Sequence, residues 1–229
     1  MADDLGQALA RAAQTLHTSS SLEDTLQTIA DTAKDSLPGF DAVGISTIDK
    51  DGTVATQAGT SDLVWELDKL QYKLGEGPCV DSLHDNTQVL APKIADDARW
   101  PEYVPRAVEL GLKAQLALKL YLDDQGTIGG LNIYSTTTDE INDGAVSMAS
   151  LFAAHAATAM GNASEVESLH EALSTRTVIG AAVGMLMQQY TVSQDTAFGL
   201  LVRASSHANV KLRDIAQRMV DEANSRATR

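Results

Sequence analysis

The sequence is poor in cysteine, proline and aromatic residues, and each shortage excludes something. One cysteine, Cys79, among 229 residues leaves no disulfide to form within the chain, and that usage fits a reducing compartment. Only five prolines punctuate the chain, so long stretches have nothing to interrupt a helix. The histidines, His17, His84, His155, His170 and His207, show no i,i+4 pairing with one another or with the cysteine, so no metal site is expected. No apolar run approaches the roughly 18 residues of a membrane span. The start, M-A-D-D-L-G-Q, lacks the basic segment and apolar core of a signal peptide. A soluble cytoplasmic protein without membrane contact is expected. No glycine loop has P-loop or Rossmann spacing. Asp96-Asp97 and Asp123-Asp124 read as loop carboxylates outside the buried setting that acid–base chemistry needs. Neither an enzyme nor a cofactor is expected.

Positive charge is short as well: 17 Lys+Arg stand against 31 Asp+Glu, a net −14. Its distribution is uneven. Residues 1–163 hold 10 basic against 24 acidic side chains, whereas from Arg176 onward 7 basic face 4 acidic. A polyanion is therefore met only by the C-terminal part, and the acidic N-terminal body repels one.

What is present reads in order as follows. Residues 5–17 suit a helix with Leu5, Leu9 and Leu16 on one face. Ser20 or Ser21 caps a second helix whose apolar series is Leu22, Leu26, Ile29, Ala33 and Leu37, stopped by Pro38-Gly39. Strands are expected at 41–48 and 53–57 around the turn Asp49 to Gly52, followed by a helix over 61–72. G-E-G-P-C-V-D-S-L, Gly75 to Leu83, is a glycine-punctuated turn opening a short helix with Pro78 near its first position. A strand at 88–90, a helix from Pro101 to Gly111, and a hairpin of 113–122 with 127–134 complete an α+β pattern with an antiparallel sheet and flanking helices. From about Glu140 the pattern is helical to the end.

With G-E-G-P-C at 75–79, D-x-R-W-P from Asp97 to Pro101 and G-G-L-N-I-Y at 129–134, residues 20–162 resemble a GAF domain, a small-ligand or signal-sensing module. The usual placement of GAF ligands implies a pocket lined by Trp65, Cys79, Leu83, Trp100, Tyr103, Leu116 and Tyr121, for a small-molecule effector that the residues do not identify. The alternative is a filled GAF domain that takes no ligand and serves to dimerise. Cys79, near a helix N-terminus, is either a thiol of lowered pKa or a buried structural residue.

The long helix from about Asn142 carries Met148, Phe152, His155, Ala159, Asn162, Val166, Leu169 and Leu173 at alternating steps of four and three, a coiled-coil seam. The simplest partner is the same helix of a second subunit in a parallel homodimer. In the alternative, 148–159 packs on its own sheet and only 162–173 is free to pair. Further on, R-T-V-I-G-A-A-V-G-M-L-M, Arg176 to Met187, puts Gly180 and Gly184 inside a helix, at roughly 1 kcal/mol each relative to alanine. Close approach of neighbouring helices is the expected compensation. Ser193 caps the next helix, with Ala197, Leu200, Leu201 and Ala204 inward, and a last helix begins at Lys211 or Leu212.

These three helices resemble the ANTAR family of bacterial RNA-binding transcription antiterminators, through Arg176, I-G-x-A at 179–182, G-M-L-M at 184–187, S-x-D-x-A-F at 193–198, L-x-R-A-S-S at 201–206 and N-x-K-L-R-D-I-A at 209–216. A lysine common in the family's first-helix motif is replaced by Val183. The domains expected are thus a GAF region over 1–162, a coiled-coil linker over 163–168 and an ANTAR bundle over 169–229. The resemblance implies binding to paired short RNA hairpins, which blocks an overlapping terminator. RNA sequence is read mainly in loops, by stacking and by hydrogen bonds to splayed bases. Arg203, Ser205, Ser206, His207, Asn209, Lys211 and Arg213 lie around one interhelical turn, with Arg176 and Tyr190 able to join from the first helix. Six of them have a plainer reading: Arg176 as an ion-pair partner of Glu171, Ser205 and Ser206 as local backbone partners, His207 as a helix-end residue, Lys211 and Arg213 as a solvated face. A helical tail that binds a protein partner, and a DNA-binding module, are the rival functions.

Overall fold

The computed structural model describes residues 21–49, 51–84, 87–123 and 126–227, with the backbone alone at 167, 171, 226 and 227. The helix expected over 5–17 and the tip of the 123–126 turn lie outside the described residues. The chain divides into two compact units, 1–163 and 164–229.

In the first unit, α1 (Leu22–Ser36) begins where Ser21, in extended conformation, accepts the Asp24 N–H on its Oγ at 3.1 Å. That bond satisfies one of the orphan donors of the first turn. The strands β1 (Ala42–Ile48), β2 (Val54–Gly59), β3 (Gln88–Ala91), β4 (Ala114–Leu122) and β5 (Gly126–Ser135) form one antiparallel sheet in the order β2-β1-β5-β4-β3. Between β2 and β3 come α2 (Asp62–Leu74) and α3 (Pro78–His84), and between β3 and β4 a short 3-10 turn (Ile94–Asp96) and α4 (Tyr103–Glu109).

Side chains alternate across a strand, and here both faces are covered. Val43, Ile45, Leu116, Leu118, Leu120, Leu131 and Ile133 face α1 and the start of the long helix α5 (Asp143–Tyr190), meeting Leu26, Ile29, Phe152 and Ala156. Ala42, Val89, Ala91 and Tyr134 face the other way, toward Leu67, Trp100 and Tyr103. The motif segments build this second layer. Gly77 sits at φ 126, and a Cβ there would lie 2.5 Å from Gln71 Oε1, so only glycine fits without displacing that amide. The Glu76 carboxylate accepts the backbone N–H groups of Glu102 and Tyr103 at 2.8 and 3.2 Å, holding the start of α4. Asp97 takes Arg99 at 2.6 Å, and the Arg99 guanidinium stacks 4.1 Å from the centre of the Trp100 ring.

In α5 the expected seam is split. Phe152 and Ala159 are buried in the core of the first unit and His155 is half-buried beside them. Covering the sheet occupies that face, so these residues are not available for pairing. Asn162, Val166, Leu169 and Leu173 are exposed, the last three at 53%, 57% and 62%.

In the second unit α5 continues to Tyr190 and is followed by α6 (Gln194–Ala208) and α7 (Leu212–Ala227). Ser193 caps α6, accepting the Thr196 N–H on its hydroxyl, and Asn209 closes it in the left-handed region at φ 51. The small core is Ala182, Val183, Leu186, Ala197, Leu201 and Ala216, with Ile179, Leu200, Ile215 and Met219 against it. Val183 is thus a core residue. Ala204 is exposed and not inward as expected. The expectation for Gly180 and Gly184 is also overturned. Both are exposed, and a Cβ at either would meet nothing within 4 Å. Successive residues turn by about 100°, and with Ala182, Val183 and Leu186 inward the two glycines point out. Gly180→Ala and Gly184→Ala are accordingly expected each to raise stability by about 1 kcal/mol in thermal unfolding. A fall in melting temperature would show that another molecule occupies that side of the helix.

Candidate functional site

The charged and polar residues expected to bind a ligand in the second unit do not share one surface. Ser205 turns toward the connection to α7: its Oγ donates to the Val210 carbonyl at 2.6 Å, while its own carbonyl accepts the Val210 N–H at 3.2 Å. Its hydroxyl is therefore engaged in closing the α6–α7 turn, the local role common for serine at helix ends. Arg203 and His207, four apart, share one flank of α6, and Ser206 lies between them and the opposite flank; all three are exposed. Asn209 and Lys211 are exposed in the turn, and the Lys211 carbonyl accepts the Asp214 and Ile215 N–H groups that begin α7. Arg213 Nε lies 3.4 Å from Asp214.

Tyr190 is exposed at the opposite end of α6, where α5 ends. At 1.5 Å per residue the 15 residues of α6 separate the two ends by roughly 22 Å, so Tyr190 does not join the turn. Arg176 is exposed on α5; the side chain of Glu171, its suggested partner, is outside the described residues. Two residues escaped the sequence reading. Phe198 and Val202 are 44% and 38% exposed on α6, one helical step from the core positions 197 and 201. The i,i+4 spacing of two apolar residues beside an already complete inward stripe was the available signal.

In the first unit, alternation along the strands decides the fate of the expected pocket. Leu116 faces the α1/α5 layer, the other side of the sheet from Tyr103 and Trp100, so it cannot line a cavity with them. Tyr121 is 53% exposed and lines a shallow groove of about 310 Å³ with Leu118, Ala153 and Ala157, again on the α5 side. Trp65 is 45% exposed, its ring nitrogen close to Gly59. Only Cys79, Leu83, Trp100 and Tyr103 are buried on the α2–α4 side.

What lies among these four is a polar network that the sequence reading missed. Asp68 of α2 is fully buried. Its Oδ2 accepts Thr56 Oγ1–H at 2.7 Å, and its Oδ1 accepts the Asn132 amide at 3.1 Å and the Tyr134 hydroxyl. The Thr56 hydroxyl is 3.3 Å from the Tyr72 hydroxyl. Gln71 donates to Tyr134 and accepts from the Cys79 N–H at 2.9 Å and from Gln115, which itself accepts the Tyr103 hydroxyl at 2.7 Å. Burial pushes the Asp68 carboxyl up to about 6, against the pull of its hydrogen bonds from Tyr134, Thr56, Tyr72 and Asn132. Cys79 is fully buried with Sγ 3.0 Å from the Asn132 amide nitrogen, and burial, then the Asp68 charge, push its thiol up to about 12. Such a thiol stays protonated and is a poor nucleophile, and its full burial agrees with the reading of Cys79 as a structural residue. Asn132 Oδ1 is buried and finds no hydrogen-bond partner among the described residues. The signal for this network was the placement of Asp68 and Gln71 among Val64 and Leu67, on the buried stripe of α2.

A family model described as GAF domain matches residues 19–161, and one described as ANTAR domain matches residues 167–220. Similar solved structures include the GAF domain of a phosphoenolpyruvate-protein phosphotransferase from Acinetobacter, 16% identical, covering 73% of this chain and 99% of that one with a TM-score of 0.57. The corresponding domain from Coxiella burnetii is 16% identical, with 72% and 96% covered and a TM-score of 0.58. Free methionine-R-sulfoxide reductase from Neisseria meningitidis, solved in complex with its substrate, is 12% identical, with 71% and 91% covered and a TM-score of 0.52. At such identities the likeness shows the fold alone. The search among curated proteins finds no match. No described helix is long and apolar enough to cross a membrane.

Proposed function

The chain belongs to the GAF domain family and continues into an ANTAR domain, and from that premise we propose that it is a dimeric antiterminator that grips paired short hairpins of a nascent transcript. GAF is a sensor domain and ANTAR an RNA-binding antitermination regulator domain; the pairing of hairpins and of subunits is the part proposed. The carrying observation is the ANTAR match over 167–220, in the part of the chain where basic residues outnumber acidic ones.

The reading then places contacts at the α6–α7 turn. Lys211 and Arg213 meet phosphates, the Arg203–His207 flank of α6 adds charge and a planar ring, and Ser206 and Asn209 offer hydrogen bonds to base edges. Arg176 is retained as an exposed cation on α5, whereas Ser205 acts through the shape of the turn. The exposed Asn162, Val166, Leu169 and Leu173 pair two copies, so that each dimer presents two bundles to two hairpins. The cytoplasm, where transcripts are made, is the expected compartment.

The test is a titration of the full chain, at stated salt, against tandem-hairpin RNA, the same RNA with one loop altered, and duplex DNA. Tight binding to the first alone supports the reading. Equal binding to DNA points to the rival DNA-binding module, and no binding to either nucleic acid points to a tail that takes a protein partner. Lys211→Ala with Arg213→Ala is expected to weaken RNA binding about tenfold or more and to lower the salt slope by roughly 2. An unchanged affinity and slope removes this surface from the proposal.

A further inference from the structure

The interior of the first unit holds a carboxylate, Asp68, that meets no counter-charge among the described residues. Every described element packed around Asp68 presents neutral or acidic groups: Tyr72 from α2 itself, Cys79 from α3, Tyr103 from α4, Tyr134 and Asn132 from β5, Gln115 from β4, Thr56 from β2 and Ser46 from β1. Among the described residues, the groups that act on it are the hydroxyls of Tyr134, Thr56 and Tyr72 and the Asn132 amide, none of them a lysine, arginine or histidine. A buried ion without a partner is strongly disfavoured against its neutral form. The surroundings are also close-packed. A Cβ on Gly44 would come 3.2 Å from Asp68 Oδ2 and 2.4 Å from Val64. The cation for which such a cluster has room is a proton.

The cluster also has a way to admit one. Asp68, Asn132, Tyr134 and Cys79 are fully buried, but Thr56 and Tyr72 are half-buried and reach the rim. With Asp68 ionised, Tyr72 donates to Thr56 and Thr56 donates to Asp68 Oδ2. With a proton on Oδ2, the carboxyl donates to Thr56 Oγ1, and the Thr56 hydroxyl hydrogen turns to the Tyr72 oxygen. Both links, 2.7 and 3.3 Å, persist with their direction reversed, and either oxygen of the second pair is able to donate. One proton enters from solvent at the Tyr72 oxygen, the proton Tyr72 held passes to Thr56 Oγ1 and the one Thr56 held passes to Asp68 Oδ2; each hydroxyl breaks one O–H bond and forms another, and the net change is one proton bound.

We propose that Asp68, with the Thr56–Tyr72 relay, is a proton-binding site that fastens α2 to the sheet more firmly when protonated. It stands whether or not the C-terminal domain binds RNA, and it gives the sensor domain an internal response to pH without an organic effector. The folded form holds this proton more tightly than the unfolded chain, whose aspartate has an ordinary value. Stability from this group is therefore fullest at low pH and is lost as pH rises through about 6.

The experiment is a carbon NMR titration of the full chain carrying labelled aspartate, with the Asp68 signal assigned by its absence in Asp68→Asn. A midpoint near 6 is expected, some two units above the ordinary carboxyls. Tyr134→Phe removes a donor to the ionised form and is expected to move that midpoint upward. Melting temperature should fall for the natural chain relative to Asp68→Asn between pH 5 and pH 8. A midpoint below about 4.5, the ordinary carboxylate range, overturns the proposal, as do melting curves that stay parallel across that interval. If Asp68→Asn does not fold, the signal is assigned by its response to Tyr134→Phe, and the midpoint in the natural chain decides.

Discussion

Gly129→Ala is expected to leave the first unit unable to hold its sheet, while the same change one residue on is tolerated. The two glycines lie side by side in β5, the central strand, paired to Thr47 and Ser46 of β1. A Cβ on Gly129 would stand 2.0 Å from the Ser46 carbonyl oxygen and 3.2 Å from the Thr47 Cα. Those are backbone atoms of the neighbouring strand, so no rotamer relieves the clash. β1 would have to move, and β1 also carries β2 and the buried Val43 and Ile45. Overpacking ordinarily costs 1–3 kcal/mol, and a backbone obstruction between paired strands belongs at or above the top of that range, roughly 3 kcal/mol or more. That is a large share of the stability of an ordinary domain. For Gly130→Ala the contacts are the Ser46 hydroxyl at 3.3 Å, a Leu83 methyl at 3.5 Å and Cys79 Sγ at 3.7 Å, all side-chain atoms. An effect of about 1 kcal/mol or less is expected there. Denaturant unfolding of both variants checks the pair, and equal losses would show that β1 yields more easily than its pairing suggests.

That contrast marks what a sequence can carry. The glycine pair was legible as a family-like piece at 129–134, but which of its two members tolerates a side chain depends on a strand 83 residues earlier in the chain. Elements written in local chemistry were legible almost to the residue: the Ser21 and Ser193 caps, Pro78 at the first position of α3, and the five strands. The site residues were legible as types and not as a surface. Helical rotation and strand alternation put Leu116 on the wrong face of the sheet and sent Ser205 into its own turn, and the length of α6 moved Tyr190 away. Gly180 and Gly184 failed for the same reason, since small residues announce close packing without saying which side is packed. Asp68 is not legible as a site from sequence, because the groups that answer its charge stand on strands distant in the chain. A single acid on a buried helical stripe is still an informative sight, as its charge has to be answered by something distant in sequence.

If the proposed pairing through α5 holds, Leu169→Gln with Leu173→Gln is expected to leave monomers and to lower affinity for tandem-hairpin RNA by about two orders of magnitude, with affinity for a single hairpin unchanged. Both leucines are more than half exposed on α5, beyond the part of the helix that covers the sheet, so folding of each unit is not at stake. Glutamine keeps helix propensity close to that of leucine and adds no charge, which leaves the electrostatic attraction for RNA as it was. What disappears is the apolar seam of Val166, Leu169 and Leu173. Once one bundle of a dimer holds a hairpin, the second meets its own at an effective concentration set by the linkage, and such tethering raises overall affinity by roughly 10²–10⁴. Monomers forfeit that factor and nothing else. Light scattering reports the oligomeric state, and titrations with one-hairpin and two-hairpin RNAs of equal loop sequence report the rest. A monomer that still prefers the tandem RNA by the natural margin would show that the two hairpins are read by one bundle. A variant that stays dimeric would place the interface elsewhere on the chain and release the exposed end of α5 for another partner.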